Sequence, residues 1–336
     1  MAEVTGIIDS DGHVVERGSD LYPYLESKYP RDGLENYPLF PTLDGFRRGN
    51  VPRGYNFDLE GWSRFMKDST ISYAVLYPTA GLGYAFTKDP EWAADLASAY
   101  NNFLSDAFIK KDSRFNAMAM LHVQDPPAAA KELRRAVKEL GMVGGLLPTP
   151  GLRIPYGDTA FDVLYKEAQD LDVPLAVHGA AQQGIGLDIL SNQNQGQILA
   201  HAFAQMIQFV NMIWDQVFER FPTLKVVYQE AGAGWVPFLM ERLDRRSSDR
   251  MGRKLASEQI RNHPIYFHAE LEEQDVLVTA LDVIGNDRFV YASDFPHENG
   301  AEIIEGLIEF QNRDDITQES KERVLRDNIK ALYGLK

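Results

Sequence analysis

The sequence predicts a (β/α)8 barrel, a TIM barrel, forming one α/β domain over residues 1–336. Three observations predict it. Eight short apolar runs of strand length alternate with amphipathic helical stretches, which implies parallel strands joined by helical crossovers. Four of the runs end in a side chain able to bind a metal or move a proton, and barrels of this kind build their active sites at strand C-terminal ends. A chain of 336 residues that is 44% hydrophobic suits such a barrel with insertions.

The strands are expected at residues 6–9, 71–77, 116–121, 143–147, 175–178, 225–229, 265–268 and 289–293. Helical stretches are expected at 91–110, 128–140, 161–171, 201–221, 274–284 and 301–311. Asp125-Pro126-Pro127 sets up a helix start, because proline is tolerated in the first turn, and Gly141 marks its stop. Phe161, Leu164, Tyr165, Ala168 and Leu171 recur at helical spacing.

Two segments exceed a minimal barrel, and both leave strand C-terminal ends. Residues 14–70 form a long insertion carrying Tyr22, Tyr24, Tyr29, Tyr37, Phe40, Phe46, Tyr55, Phe57 and Trp62. This aromatic content predicts an ordered lid or pocket wall, with a packing cap or dimer contact as the equal alternative. Residues 180–197 are rich in Gln, Asn and Gly.

Composition narrows the function. A formal net charge of -15 leaves no basic footprint for nucleic acid or an anionic membrane surface. The absence of cysteine rules out disulfides and thiolate metal sites. Met1-Ala2-Glu3-Val4-Thr5 lacks the pattern of a signal peptide, and no apolar run reaches the roughly 20 residues that span a bilayer. A cytoplasmic enzyme acting on a small molecule is expected.

The chemistry is concentrated in four segments. In Ile8-Asp9-Ser10-Asp11-Gly12-His13, period two places Asp9, Asp11 and His13 on one strand face, where a divalent cation would relieve their repulsion. His178 closes the apolar run Leu175-Ala176-Val177. Glu230 follows Val226-Val227-Tyr228-Gln229, and Asp294 follows Val290-Tyr291-Ala292-Ser293. Each residue has an ordinary alternative as turn former, core histidine or helix cap. Together those alternatives require a coincidence at strands one, five, six and eight. Of the other histidines, His122 and His268 end strands on the rim where substrate would lie, as supports behind the ligands, and His201 opens a long helix, first as a cap or exposed residue and second as one that reaches the site. His263 reads as a loop residue, and His297 as a partner that orients Asp294 or closes the barrel end.

In these segments the chain resembles the amidohydrolase superfamily, in the branch of amidohydrolase family 2 related to aminocarboxymuconate semialdehyde decarboxylase. The resemblance also covers Val177-His178-Gly179, Phe221-Pro222-Thr223-Leu224-Lys225, Trp235-Val236-Pro237-Phe238 with Arg242-Leu243-Asp244, and Ser293-Asp294-Phe295-Pro296-His297. It implies a barrel around a catalytic divalent metal, with His178 as the strand-five ligand and Asp294 as the strand-eight carboxylate. The family commonly has His-x-His at strand one; here Asp11 replaces the first histidine, as in some family decarboxylases. Many family decarboxylases place a histidine where this chain has Glu230. No carboxylated lysine is evident, so one ion is the default. Asp9, Asp11, His13, His178, Glu230 and Asp294 nevertheless suffice for two. The oxygen and nitrogen donors suit zinc first, then manganese or iron. Family members commonly form homo-oligomers.

The expected reaction is hydrolysis of an acyl bond in a cyclic or aromatic substrate by metal-activated water, with Asp294 or Glu230 moving the proton. The missing strand-six histidine tips the balance that way. The alternative is non-oxidative decarboxylation of a hydroxylated aromatic acid.

Overall fold

The computed structural model describes residues 3–25, 29–36, 38–41, 57–180, 184–247 and 252–336. Eight parallel strands run in sequence order: β1 (Ile7–Val14), β2 (Ile71–Pro78), β3 (Phe115–Met120), β4 (Gly144–Pro148), β5 (Leu175–His178), β6 (Val226–Gln229), β7 (Ile265–Ala269) and β8 (Phe289–Tyr291). β8 meets β1 through Ser10 Oγ donating to the Tyr291 carbonyl at 2.6 Å, Asp294 N to Asp11 O at 3.1 Å and His13 N to Phe295 O at 2.7 Å. The curved sheet thus comes round to a nearly closed barrel, as the sequence predicts. Most strand residues are buried on both faces, which is what helix-covered parallel strands require.

Helices cover the outside. They include α1 (Leu59–Ser69), α2 (Pro90–Leu104), α3 (Pro126–Leu140), α4 (Asp162–Leu171), α5 (Gln193–Trp214), α6 (Trp235–Arg246), α7 (Ala256–Asn262), α8 (Asp275–Ile284) and α9 (Gly300–Asn312). α3 begins where the Asp-Pro-Pro signal places it, with the Asp125 carboxylate accepting from Ala128 N at 3.2 Å, and ends at Gly141 with φ 77°. Among the described residues no helix is long and apolar enough to cross a membrane.

The main difference from expectation lies in β1. The strand runs on to Val14, and its register against β2 shifts between Asp9 and Gly12. Two residues of β1, Ser10 and Asp11, oppose one of β2, Val75, there, a bulge that re-aims the side chains beyond it.

The insertion is partly a foundation. α1 starts at Asp58, whose Oδ1 accepts from Gly61 N at 2.9 Å. It buries Trp62 and Phe65. Phe65 stacks on Phe295 at 3.9 Å, and Trp62 Nε1 donates to the His13 carbonyl at 3.1 Å. Gly12 makes this possible, because a Cβ at that position would lie 2.2 Å from the Trp62 ring. Residues 42–56 and Tyr37, which hold much of the predicted lid with Phe46 and Tyr55, lie outside the described residues.

Candidate metal centre

Strands one, five, six and eight bring Asp11, His13, His178, Glu230 and Asp294 to one end of the barrel. His13 Nε2 lies 3.1 Å from Asp294 Oδ1, 3.5 Å from Asp11 Oδ1 and 4.0 Å from Glu230 Oε2. His178 Nε2 lies 3.1 Å from Asp11 Oδ2 and 3.2 Å from Glu230 Oε2. Two overlapping donor groups, one with Asp11, His13 and His178 and one with His13, Glu230, Asp294 and His297, share His13.

The hydrogen bonds around this cluster leave its inner atoms free. His13 Nδ1 lies 2.8 Å from the Pro78 carbonyl and His178 Nδ1 lies 2.6 Å from that of Gly179. A carbonyl accepts only from a protonated nitrogen, so each Nε2 presents a lone pair inward. Both Asp11 oxygens, both Nε2 atoms and Glu230 Oε2 are buried without a hydrogen-bond partner. Orphaned buried acceptors are costly, and a bound cation would satisfy all five.

Glu230 and Asp294 are each steered by a second imidazole. His201 Nδ1 donates to Glu230 Oε1 at 2.7 Å, and His297 Nδ1 contacts Asp294 Oδ1 at 2.9 Å. His297 Nε2 reaches Thr79 Oγ1 at 3.0 Å. Both carboxylates sit on left-handed backbone, with φ 54° at Glu230 and 51° at Asp294. Such strain costs about 1–3 kcal/mol per residue and persists where surroundings enforce it. Neither caps a helix: Glu273 takes the amides of Ala233 and Gly234 ahead of α6, and Asn299 caps α9.

Charge in the cluster is unbalanced. Burial lifts the Asp11 carboxyl well above the ordinary carboxylate range, and Glu230 and Asp294 add to the rise against the pull of His13. Burial also pushes the His178 imidazole down to about 4, leaving it neutral as a ligand must be. Against burial, His297 and His13 hold Asp294 well below its usual range as a carboxylate.

The structure places Asp9 apart. Its Oδ1 accepts from Ser293 N at 2.9 Å and Asp11 N at 3.2 Å, and its Oδ2 accepts from Ser293 Oγ at 2.5 Å. The bulge breaks period two, so Asp9 fastens β1 to the end of β8 while Asp11 and His13 join the cluster. His201 is the residue whose contact the sequence reading ranked too low, behind capping or exposure. The signal for it was Gly179: a Cβ there would lie 2.9 Å from His201 Cα, so glycine lets α5 approach the strand end. Glu16 was missed; it accepts from Thr79 N at 3.0 Å and Gly81 N at 2.7 Å, and no sequence pattern marked it. His263 is structural, bonded to Glu219 at 3.0 Å and to the Pro222 carbonyl at 3.1 Å.

A cavity of about 720 Å³ opens above the cluster, with Glu230, Asp294, His201 and His268 in its lining and Ile198, Leu271 and Ile303 as apolar walls. Fold and site together define a barrel of the amidohydrolase type, with acidic and imidazole donors gathered at the strand ends. The family model described as Amidohydrolase matches residues 8–335, and the chain belongs to that family. It is 26% identical over 330 residues to a gamma-resorcylate decarboxylase of Rhodococcus jostii, covering 90% of this chain and 98% of that one. Two solved structures share the fold. One is 5-carboxyvanillate decarboxylase from Sphingomonas paucimobilis, with TM-score 0.77 and 19% identity over 98% of this chain and 99% of that one. The other is a dihydroxybenzoic acid decarboxylase from Polaromonas sp. JS666 with bound manganese and 2-nitroresorcinol, with TM-score 0.75 and 20% identity over 98% of this chain and 97% of that one.

These relatives overturn the expectation of an acyl-bond hydrolase, because they are named as decarboxylases of hydroxylated aromatic acids. The physical reason is local. The hydrolase reading leaned on a missing strand-six histidine, yet an imidazole does stand there, carried in by His201 from α5 and bonded to Glu230.

Proposed function

We propose that the protein is a metal-dependent, non-oxidative decarboxylase of a hydroxylated aromatic acid. The observation that carries this reading is the cluster of unpartnered buried donors from Asp11, His13, His178 and Glu230, which meets through Glu230 and Asp294 a cavity with room for an aromatic ring. Those residues, with Asp294, would hold one divalent ion, since the two donor groups meet at His13. Asp9 is left out. Three carboxylates with two imidazoles suit manganese as well as the zinc the sequence favoured, and the Polaromonas relative carries manganese.

When bound, the ion supplies positive charge to anchor the substrate carboxylate and its neighbouring hydroxyl. The chain's residues do the rest. His13 and His178, each pinned by a backbone carbonyl, fix the geometry of the floor. Asp294 passes a proton to the ring carbon that bears the carboxylate, and His297 holds that proton beforehand. The bond from that carbon to the carboxylate then breaks and carbon dioxide leaves, so the proton replaces it on the ring.

We also propose one barrel domain over 1–336 with residues 14–70 as its insertion; within it α1 packs against the His13 carbonyl and Phe295. A homo-oligomer belongs to the same proposal. The exposed Ile198, Leu199, Phe203 and Ile207 on α5 are the face to probe by light scattering. The reaction itself is tested by carbon dioxide release from 2,6-dihydroxybenzoate and related acids by manganese-loaded protein. Release that disappears in Asp294→Asn supports the reading; silence across the acids sinks it.

A further inference from the structure

The residues just before Asp11 and Glu230 are tied to each other across the barrel. Gln229 closes β6 and pairs in register with His178, so its side chain enters the barrel on the same face as that imidazole. Its Nε2 donates to the Ser10 carbonyl and to Ser10 Oγ, both at 3.1 Å. Ser10 Oγ gives its own proton to the Tyr291 carbonyl, which leaves it an acceptor for Gln229. β7 and β8 stand between β6 and β1, so this tie crosses the interior instead of following a ladder. Ser10 immediately precedes Asp11, and Gln229 immediately precedes Glu230.

α5 holds the same corner from outside. Gln205 Nε2 donates to the Gln229 carbonyl at 2.5 Å, and His201, four residues earlier on the same helix face, bonds to Glu230. Gln229 is thus fixed at its side chain by β1 and at its carbonyl by α5. Consecutive strand residues point to opposite faces, yet Gln229 and Glu230 both turn inward, because the left-handed φ of 54° at Glu230 breaks the alternation. Such a backbone persists only where its surroundings enforce it, and here the preceding residue is held on two sides. Gln205 and Gln229 are both fully buried, and the Oε1 of each lacks a partner. An apolar side chain of like size avoids that cost, so these glutamines are present for what their nitrogens hold.

We propose that Gln229 is a positioning residue for the metal centre: its bond to Ser10 fixes how far Glu230 stands from Asp11, and Gln205 keeps that bond aimed. The role rests on the reading of the donor cluster as a metal centre. It accounts for His178 Nε2 meeting Asp11 Oδ2 at 3.1 Å and Glu230 Oε2 at 3.2 Å at once. Two carboxylates that repel each other are kept in place before a cation arrives, so the ion meets a site already formed.

The test compares Gln229→Met with Gln259→Met. Its readouts are calorimetric titration of the metal-free proteins with manganese, the electron paramagnetic resonance spectrum of the bound ion, and urea unfolding without metal. Gln259 is the matched control. It is equally buried, its Nε2 also donates to two acceptors, the carbonyls of Ile213 and Lys254, and its Oε1 is also unpartnered. It sits on α7, which carries none of the donors. Both variants are expected to lose a similar amount in urea midpoint, and Gln229→Met alone to bind manganese at least about tenfold more weakly, with a changed spectrum. Wild-type affinity and spectrum in Gln229→Met overturn the proposal, and so does an equal loss of affinity in both variants. Should Gln229→Met not fold, Gln205→Met, which releases the Gln229 carbonyl from the outer side, is expected to show the same weakening; wild-type binding by it overturns the proposal. A wild type that takes up no manganese overturns the metal centre and this role with it, whereas failure in the variants alone leaves the metal centre standing.

Discussion

Glu230 shows how much one residue's meaning depends on a neighbour far away in the chain. From the sequence it is a strand-end carboxylate of ligand type. Its partner His201 lies 29 residues earlier, just past the Gln-rich loop, and no local pattern joins them. Gly179 joins them in space, and this yields a prediction. Gly179→Ala forces a Cβ against the His201 backbone, so it should cost about 1–3 kcal/mol in urea unfolding and lower turnover more than it raises KM. An unchanged kcat would disconnect His201 from the chemistry. Asp9 teaches the opposite lesson, since its residue type was read correctly and its direction was not: the bulge lay below what periodicity can show. Ser293→Ala should cost about 1–3 kcal/mol by leaving the buried Asp9 short of a donor, and metal content should hold if Asp9 is structural.

At the scale of elements, alternating apolar runs and cap chemistry made the eight strands and most crossover helices legible, because each is dictated by local periodicity. The role of α1 was not legible, because it depends on contacts across the barrel end. Trp62 is the link, since it fills the space over Gly12 and holds the His13 carbonyl. Trp62→Phe keeps much of the bulk but strands that buried carbonyl. It should lose about 1–3 kcal/mol of stability and weaken metal retention through His13. Stability loss with full metal affinity would confine Trp62 to packing.

For the whole molecule, an excess of acid gathered on one cavity wall should be visible in stability against pH. Withdrawal from water, then Glu273 and Glu272, push Glu270 up to about 7 from the ordinary 4.5. The folded chain therefore holds this proton more tightly than the unfolded chain, and stability falls as pH rises from 4.5 through 7. Glu270→Gln should raise the thermal midpoint at pH 8 and leave it unchanged near pH 4.5; an equal effect at both would refute the electrostatic cause. The reaction was the least legible property, because hydrolysis and decarboxylation use the same barrel and donors. The strand-six imidazole that the sequence reading found missing is brought to Glu230 by another element, through His201.

The central claim is that Asp11, His13, His178, Glu230 and Asp294 form one metal centre. It is tested most directly by metal analysis of protein produced with manganese, comparing wild type with His178→Ala. The account predicts about one equivalent per chain in the wild type and a loss of at least about tenfold in affinity in the variant. No retained metal in the wild type, two equivalents, or undiminished binding by His178→Ala would contradict it.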